Sequence, residues 1–284
     1  MSSEPAPPAR PAGPPGANTP VNDGGAHGRA AAAPLLVARE VSRSYEAVHA
    51  LSEVTLEVRP QEIIGLIGPN GAGKTTLINL LTGFDLPSAG TIEFEGEDIT
   101  RWSAPRRARR GLARTFQHGH LFGDLTLREN VELASLGVGM REREARQLAG
   151  ELLDALELIG RAEVIAAALS HGEQQKVGVA RALATRPRFV LLDEPAAGLS
   201  ESDVEELAAL LADVRSRYGA SVLVVEHNIG LIMRVCDRIH VLDGGRTLAE
   251  GTPQQIRENL DVTAAYLGSA GTDATIEVPS ARDA

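Results

Sequence analysis

The sequence has one cysteine, no long apolar run, no basic excess and no internal repeat, and each absence removes a class of protein. Cys236 alone cannot form an intrachain disulfide, which fits a reducing compartment; the short CDR stretch lies between apolar residues and reads as packing. No segment approaches the roughly 18 uncharged apolar residues that a membrane-spanning helix needs, so any link to a membrane runs through a partner. Lys and Arg number 28 against 38 Asp and Glu, and a net charge of −10 argues against broad, sequence-independent nucleic-acid binding. The run RRARR at 106–110 is a local exception and reads as a solvated helix face. What is present, 43% hydrophobic residues over 284 positions, suffices for the core of one large domain or two small ones.

The first 34 residues hold half of the chain's 16 prolines among glycines and alanines, with almost no large apolar side chains. Such a leader cannot bury enough surface to offset its ordering entropy and is expected to be disordered; it also lacks the apolar centre of a secretory signal. The tail from about residue 268 to 284 reads the same way, leaving a domain over 35–267.

Within that domain, Val54, Leu56 and Val58 share one face of a strand, as do Ile92 and Phe94 of another, the pattern of a half-buried antiparallel sheet. Three short, nearly continuous apolar runs, EIIGLIG at 62–68, FVLLD at 189–193 and SVLVVE at 221–226, fit strands buried on both faces of a parallel sheet. An amphipathic helix is predicted over REREARQLAGELLDALELIG, with Leu148, Leu152, Leu156 and Ile159 on one stripe, and another from Glu201 to Tyr218 behind the N-cap Ser200. Helices without a strand over Gln117–Ala168 predict a helical insertion into an α/β core.

GPNGAGKTT at 68–76 has the spacing of a phosphate loop and lies between a strand and a helix, the context such a loop requires. Gly68, Pro69, Asn70, Gly71, Ala72, Gly73, Lys74, Thr75 and Thr76 are its members. The glycines let backbone N–H groups curl around phosphate oxygens, Lys74 reaches the β- and γ-phosphates, and the Thr75 hydroxyl suits Mg²⁺. FVLLDEP ends a buried strand in two carboxylates, Asp193 for the metal and Glu194 as the base that polarises an attacking water. Three single residues take meaning from order and spacing. Gln117 reaches the metal or the water, or is an ordinary loop residue. His227 touches a γ-phosphate or satisfies a local hydrogen bond. Tyr45 stacks on adenine or belongs to a core. In LSHGEQQK at 169–176, Ser170 and Glu173 have the form of a capping box at the start of a helix, and a helix start of small residues suits an anion.

With these motifs in this order, the chain resembles the ATP-binding subunit of an ABC transporter over roughly Leu35 to Leu267. The resemblance implies an α/β fold: a P-loop ATPase core with a mixed sheet, an antiparallel β-subdomain and an inserted helical subdomain at about 117–184. It implies ATP and Mg²⁺ as ligands, and head-to-tail pairing in which the signature Ser170, His171, Gly172 and Glu173 caps the ATP of a second ATPase subunit. His171 and Glu173 depart from the common LSGGQ, and Ser200 replaces a common aspartate. Glu173 avoids repelling the triphosphate if it turns back onto the N-cap backbone.

ARTFQHGHLF, LDEPAAGLS, VEHNIGLIM, DRIHVLDGGRTLAEGTPQQI and DVTAAYLG resemble the ATPases of branched-chain amino acid importers. That implies two membrane permease subunits and an external substrate-binding protein, with the chain held peripherally on the cytoplasmic side of the cell membrane. Phe116, Leu121 and Phe122 either line the permease docking groove or belong to the helical core. Urea or amide import, lipopolysaccharide export, and a soluble ABC ATPase acting on ribosomes or DNA are the alternatives. No nucleic-acid partner is expected.

Overall fold

The computed structural model describes residues 33–115 and 121–269; the leader before Ala33, the tail after Ser269, and Phe116 and Gln117 lie outside them. The chain begins with strands β1 (Leu36–Tyr45), β2 (Val48–Val58) and β3 (Ile63–Ile67), and helix α1 (Lys74–Thr82) follows the phosphate loop. Strands β4 (Ala89–Phe94) and β5 (Glu97–Asp98), the short helix α2 (Ala104–Arg109) and strand β6 (Leu112–Arg114) come next. Helices α3 (Leu127–Gly137), α4 (Glu142–Ala155) and α5 (His171–Ala184) precede β7 (Phe189–Asp193), α6 (Glu201–Tyr218), β8 (Ser221–Val225) and α7 (Ile229–Val235). Strands β9 (Arg238–Asp243) and β10 (Arg246–Gly251) form a hairpin, followed by α8 (Pro253–Arg257) and α9 (Leu260–Ser269).

Two sheets result. The first is antiparallel in the order β2-β1-β4-β5, and Val54, Leu56, Val58, Ile92 and Phe94 are all buried, as their alternation predicts. The second runs β10-β9-β3-β8-β7-β6, parallel except for β10 at its edge. The three apolar runs are adjacent within it, but the phosphate-loop strand β3 and the acidic strand β7 are not neighbours: β8 separates them.

The parallel strands are buried on both faces, and their alternation divides the core in two. Ile63 and Ile67 of β3 join Val190, Leu192, Val222 and Val224 against the helices α3 to α7. Ile64 and Leu66 join Leu191, Leu223 and Val225 against α1 and the antiparallel sheet. From α1, Leu77, Ile78, Leu80 and Leu81 enter this second core, each contributing roughly 1.5 to 3 kcal/mol on full burial. Between Ile64 and Leu66, a Cβ on Gly65 would lie 3.0 Å from Ile232 and 3.1 Å from the Cys236 sulfur, so the missing side chain lets α7 close on the sheet.

Two expectations are corrected. The stripe through Ile159 does not belong to one helix: α4 ends at Ala155, Leu148, Leu152 and Leu156 are buried, and Ile159 is 42% exposed in a short 3-10 turn. The RRARR run is not wholly a solvated face either, because Arg107 is 1% exposed. Its guanidinium donates to the carbonyls of Leu80, Leu81, Ile99, Thr100 and Trp102, closing the C-terminal end of α1 onto the antiparallel sheet.

Candidate nucleotide site

The phosphate loop is fixed by its surroundings before any ligand is considered. A Cβ on Gly68 would sit 2.2 Å from the Leu242 carbonyl oxygen, and one on Gly73, where φ is +99°, 2.7 Å from that of Ala50. Glycine is required at both positions, and the loop is wedged between β2 and the β9–β10 hairpin. Lys74 begins α1 and turns back, its ammonium donating to the carbonyls of Gly68 at 2.6 Å and Pro69 at 3.0 Å. Burial lowers its pKa, and the nearby Glu194 and Asp193 carboxylates oppose that shift.

Asn70, Gly71, Ala72, Gly73, Lys74, Thr75 and Thr76 line an open cleft of about 420 Å³ whose far wall carries Glu194 and His227. Val48, His49 and Ala50 of β2, with Gly244 and Gly245 of the hairpin turn, complete it. Gly68 and Pro69 do not line it; their carbonyls hold the Lys74 ammonium. Tyr45 does not line the cleft: its hydroxyl donates to Asp85 at 2.6 Å, and the Arg43 guanidinium lies 4.5 Å from its ring centroid.

Glu194 follows β7 in the left-handed region at φ +49°, with its N–H on the Val225 carbonyl. His227 donates from Nε2 to Glu194 Oε1 at 3.0 Å, so the two candidates meet across the mouths of β7 and β8. Asp193 is buried and accepts from Arg114 at 3.0 Å. Burial raises its pKa, and Arg114 partly offsets this. A buried lysine shifted down beside a buried aspartate shifted up is the electrostatic pattern of a functional site. Among the described residues no group of three or more His, Cys, Asp or Glu side chains could enclose a metal alone. The oxygen donors Thr75 and Asp193 fit a hard cation that takes its remaining ligands from phosphate and water. Gln117 lies outside the described residues.

Three organising residues escaped the sequence reading. Arg114 joins Asp193 to Asn79 of α1 at 2.8 Å. Glu226, buried at the end of β8, accepts the N–H groups of Ala196 at 2.5 Å, His227 at 3.1 Å and Asn228 at 3.3 Å. It therefore shapes the turns after Glu194 and orients the His227 backbone. The strand-ending position of Glu226 in SVLVVE was the available signal. Tyr266 of α9 meets the Gly68 backbone, and burial pushes its phenol up to about 12.

At the signature, Ser170 caps α5 and the reciprocal box is formed: Ser170 Oγ accepts from the Glu173 N–H at 3.3 Å, and Glu173 Oε2 accepts from the Ser170 N–H at 2.9 Å. Arg161 pairs with the other Glu173 oxygen. The carboxylate is thus turned back into its own chain. His171 lies on the loop after β7, and Gly172 lies against Asp203 of α6. Of the docking candidates, Leu121 packs on the helical core while Phe122 is 47% exposed; Phe116 lies outside the described residues.

Residues 51–197 match the ABC transporter family. This chain belongs to it. The ABC cassette carries a second match, to the branched-chain amino acid ATP-binding cassette transporter family, over residues 246–272. That stretch holds β10, α8 and α9, including the Tyr266 that meets the phosphate loop. The cassette is 39% identical over 252 residues to the high-affinity branched-chain amino acid transport ATP-binding protein BraF of Pseudomonas aeruginosa, covering 84% of this chain and 99% of the relative. Its fold is similar to the ADP conformation of MJ1267, an ATP-binding cassette of an ABC transporter, with a TM-score of 0.76, 26% identity, and 83% and 99% of the two chains covered. It is also similar to the dimeric post-hydrolysis state of the cassette MJ0796 bound to ADP and Pi, with a TM-score of 0.70, 30% identity, and 77% and 98% covered.

Proposed function

We propose that this cassette hydrolyses ATP as one half of a pair and drives an importer of branched-chain or related amino acids. The observation that carries the reading is the meeting of Glu194 and His227 at the same cleft as the phosphate loop, together with an intact cap at the start of the signature helix. The match over 246–272 favours this importer class over lipopolysaccharide export or urea and amide import.

In this reading the domain spans 35–267. Loop N–H groups from Gly71 to Thr76 and the Lys74 ammonium take the β- and γ-phosphates. Thr75, Asp193 and Gln117 would hold Mg²⁺, whose charge offsets that of the phosphate oxygens. Adenine lies against Val48 and His49, and Tyr45 stacks at the outer rim through the ring face opposite Arg43. Glu194 accepts a proton from the attacking water, and His227, hydrogen-bonded to Glu194, contacts the γ-phosphate. Ser170 and Gly172 of a second cassette close the site from above, while Glu173 stays on its own cap. Two permeases and an external binding protein complete the assembly, and the cassette sits peripherally on the cytoplasmic face. Among the described residues no helix is long and apolar enough to cross a membrane.

The test is reconstitution with the permeases and binding protein. Leucine, isoleucine or valine presented with that protein should stimulate ATP hydrolysis; stimulation by urea, an amide or lipopolysaccharide instead would overturn the cargo. Glu194→Gln should lower turnover by on the order of 10² to 10⁴ while ATP still locks pairs on size exclusion. Full activity in that variant would remove Glu194 as the base.

A further inference from the structure

His171 stands where the common signature has a glycine, and its ring points back into its own chain. Nε2 donates to the Ala197 carbonyl at 2.9 Å. The N–H of the same alanine donates to the Glu194 carbonyl at 3.2 Å. One residue therefore connects the imidazole at the start of α5 to the backbone of the base. The fit is close: a Cβ on Gly198, where φ is +72°, would lie 3.1 Å from His171 Cδ2.

Neighbouring contacts make this a joint with several attachments. A Cβ on Gly172 would lie 3.3 Å from Asp203 Oδ2. Asp203 accepts from the Ser200 hydroxyl at 2.6 Å, and Lys176 reaches Asp203 at 3.7 Å and pairs with Glu206. Ala196 is anchored in turn on buried Glu226. The start of α5, the turns at 194–199 and the start of α6 thus form one hydrogen-bonded body. A glycine at 171 would have no side chain to reach Ala197, so the departure from the common signature adds a link that the common form lacks.

We propose that His171 is a positioning residue that couples the two nucleotide sites of the pair. A displacement of the signature helix at the partner's ATP passes through Ala197 to Glu194 of the same chain. This rests on the reading above that each ATP is held between one chain's phosphate loop and the other's signature. Coupling needs a connected set of contacts that both sites bias, and His171–Ala197–Glu194 is such a set.

The experiment compares His171, His171→Phe and His171→Gln chains in the Glu194→Gln background, each at ATP concentrations where size exclusion shows it paired. Phenylalanine fills the space of the ring without a donor; glutamine returns an N–H at similar reach. ATP should slow amide hydrogen exchange at 196–200 by about tenfold in the histidine and glutamine chains and fail to do so in the phenylalanine chain. With Glu194 restored, the Hill coefficient of ATP hydrolysis should fall toward unity in His171→Phe and recover in His171→Gln. Equal protection and an equal Hill coefficient in His171→Phe would overturn the coupling. Failure of the unsubstituted His171 chain to pair with ATP would instead overturn the shared nucleotide site, and the coupling with it.

Discussion

A carboxylate on the first turn of a helix that caps a phosphate would repel that phosphate unless other groups hold it. Glu173 is held by the Ser170 N–H, the Ser170 hydroxyl and Arg161. Burial raises its pKa, but the bonds to Ser170 and the charge of Arg161 outweigh it, and the net shift is downward from 4.5. A carboxyl lowered on folding contributes stability above its unfolded value and loses it as pH falls through the folded one. The first turn of α5 should therefore loosen by about 1 kcal/mol in the acid range below 4.5, visible as amide shifts at residues 170–174. Glu173→Gln, which can still complete the box, should abolish that acid step; an unchanged step would assign it to another group. Arg107 offers a second residue-scale test. Arg107→Ala leaves five carbonyl contacts unmade, three of them buried, and should cost about 3 kcal/mol or more, read from the urea midpoint. Ser170 and Glu173 were legible because a capping box is local. The burial of Arg107 was not, since its acceptors on α1 lie more than two dozen positions away.

At the scale of elements, β3 and the loop that follows it were plain in the sequence, because a continuous apolar run leading into a glycine loop has few other uses. The end of α4 was not. Its terminating residue Glu157 takes φ +59°, a conformation usually marked by glycine, so the hydrophobic stripe continued past the break without a signal. Strand β6 is only three residues long, too short for alternation to register. Gly65 tests the packing of elements directly. Gly65→Ala should force α7 away from β3 and cost on the order of 1 to 3 kcal/mol, measured by thermal unfolding, with Ile232→Val recovering part of the loss. The Cys236 thiol beside it, pushed up by burial to about 12, should resist alkylation in the native chain and react more readily in Gly65→Ala.

Over the whole molecule, the arrangement of strands decides what reaches the cleft. Inserting β8 between β3 and β7 brings His227 beside Glu194, a juxtaposition that strand order alone creates. Nothing local in the sequence encodes that order, whereas the nucleotide motifs themselves were readable from spacing. Since the phosphate loop and the signature belong to different parts of one chain, turnover per chain should fall on dilution as pairs separate, and the rate should rise with the square of chain concentration when pairing is weak. A strictly linear dependence with no pairing would contradict shared sites. Lys74 carries a last consequence. Its ammonium spends two of its three N–H donors on carbonyls, so in the proposed site binding of a triphosphate uses the remaining donor and exchanges a carbonyl for a phosphate oxygen for any further bond. Its heat will be the difference between two sets of bonds, and tightness will depend on how willingly Gly68 and Pro69 give the cation up.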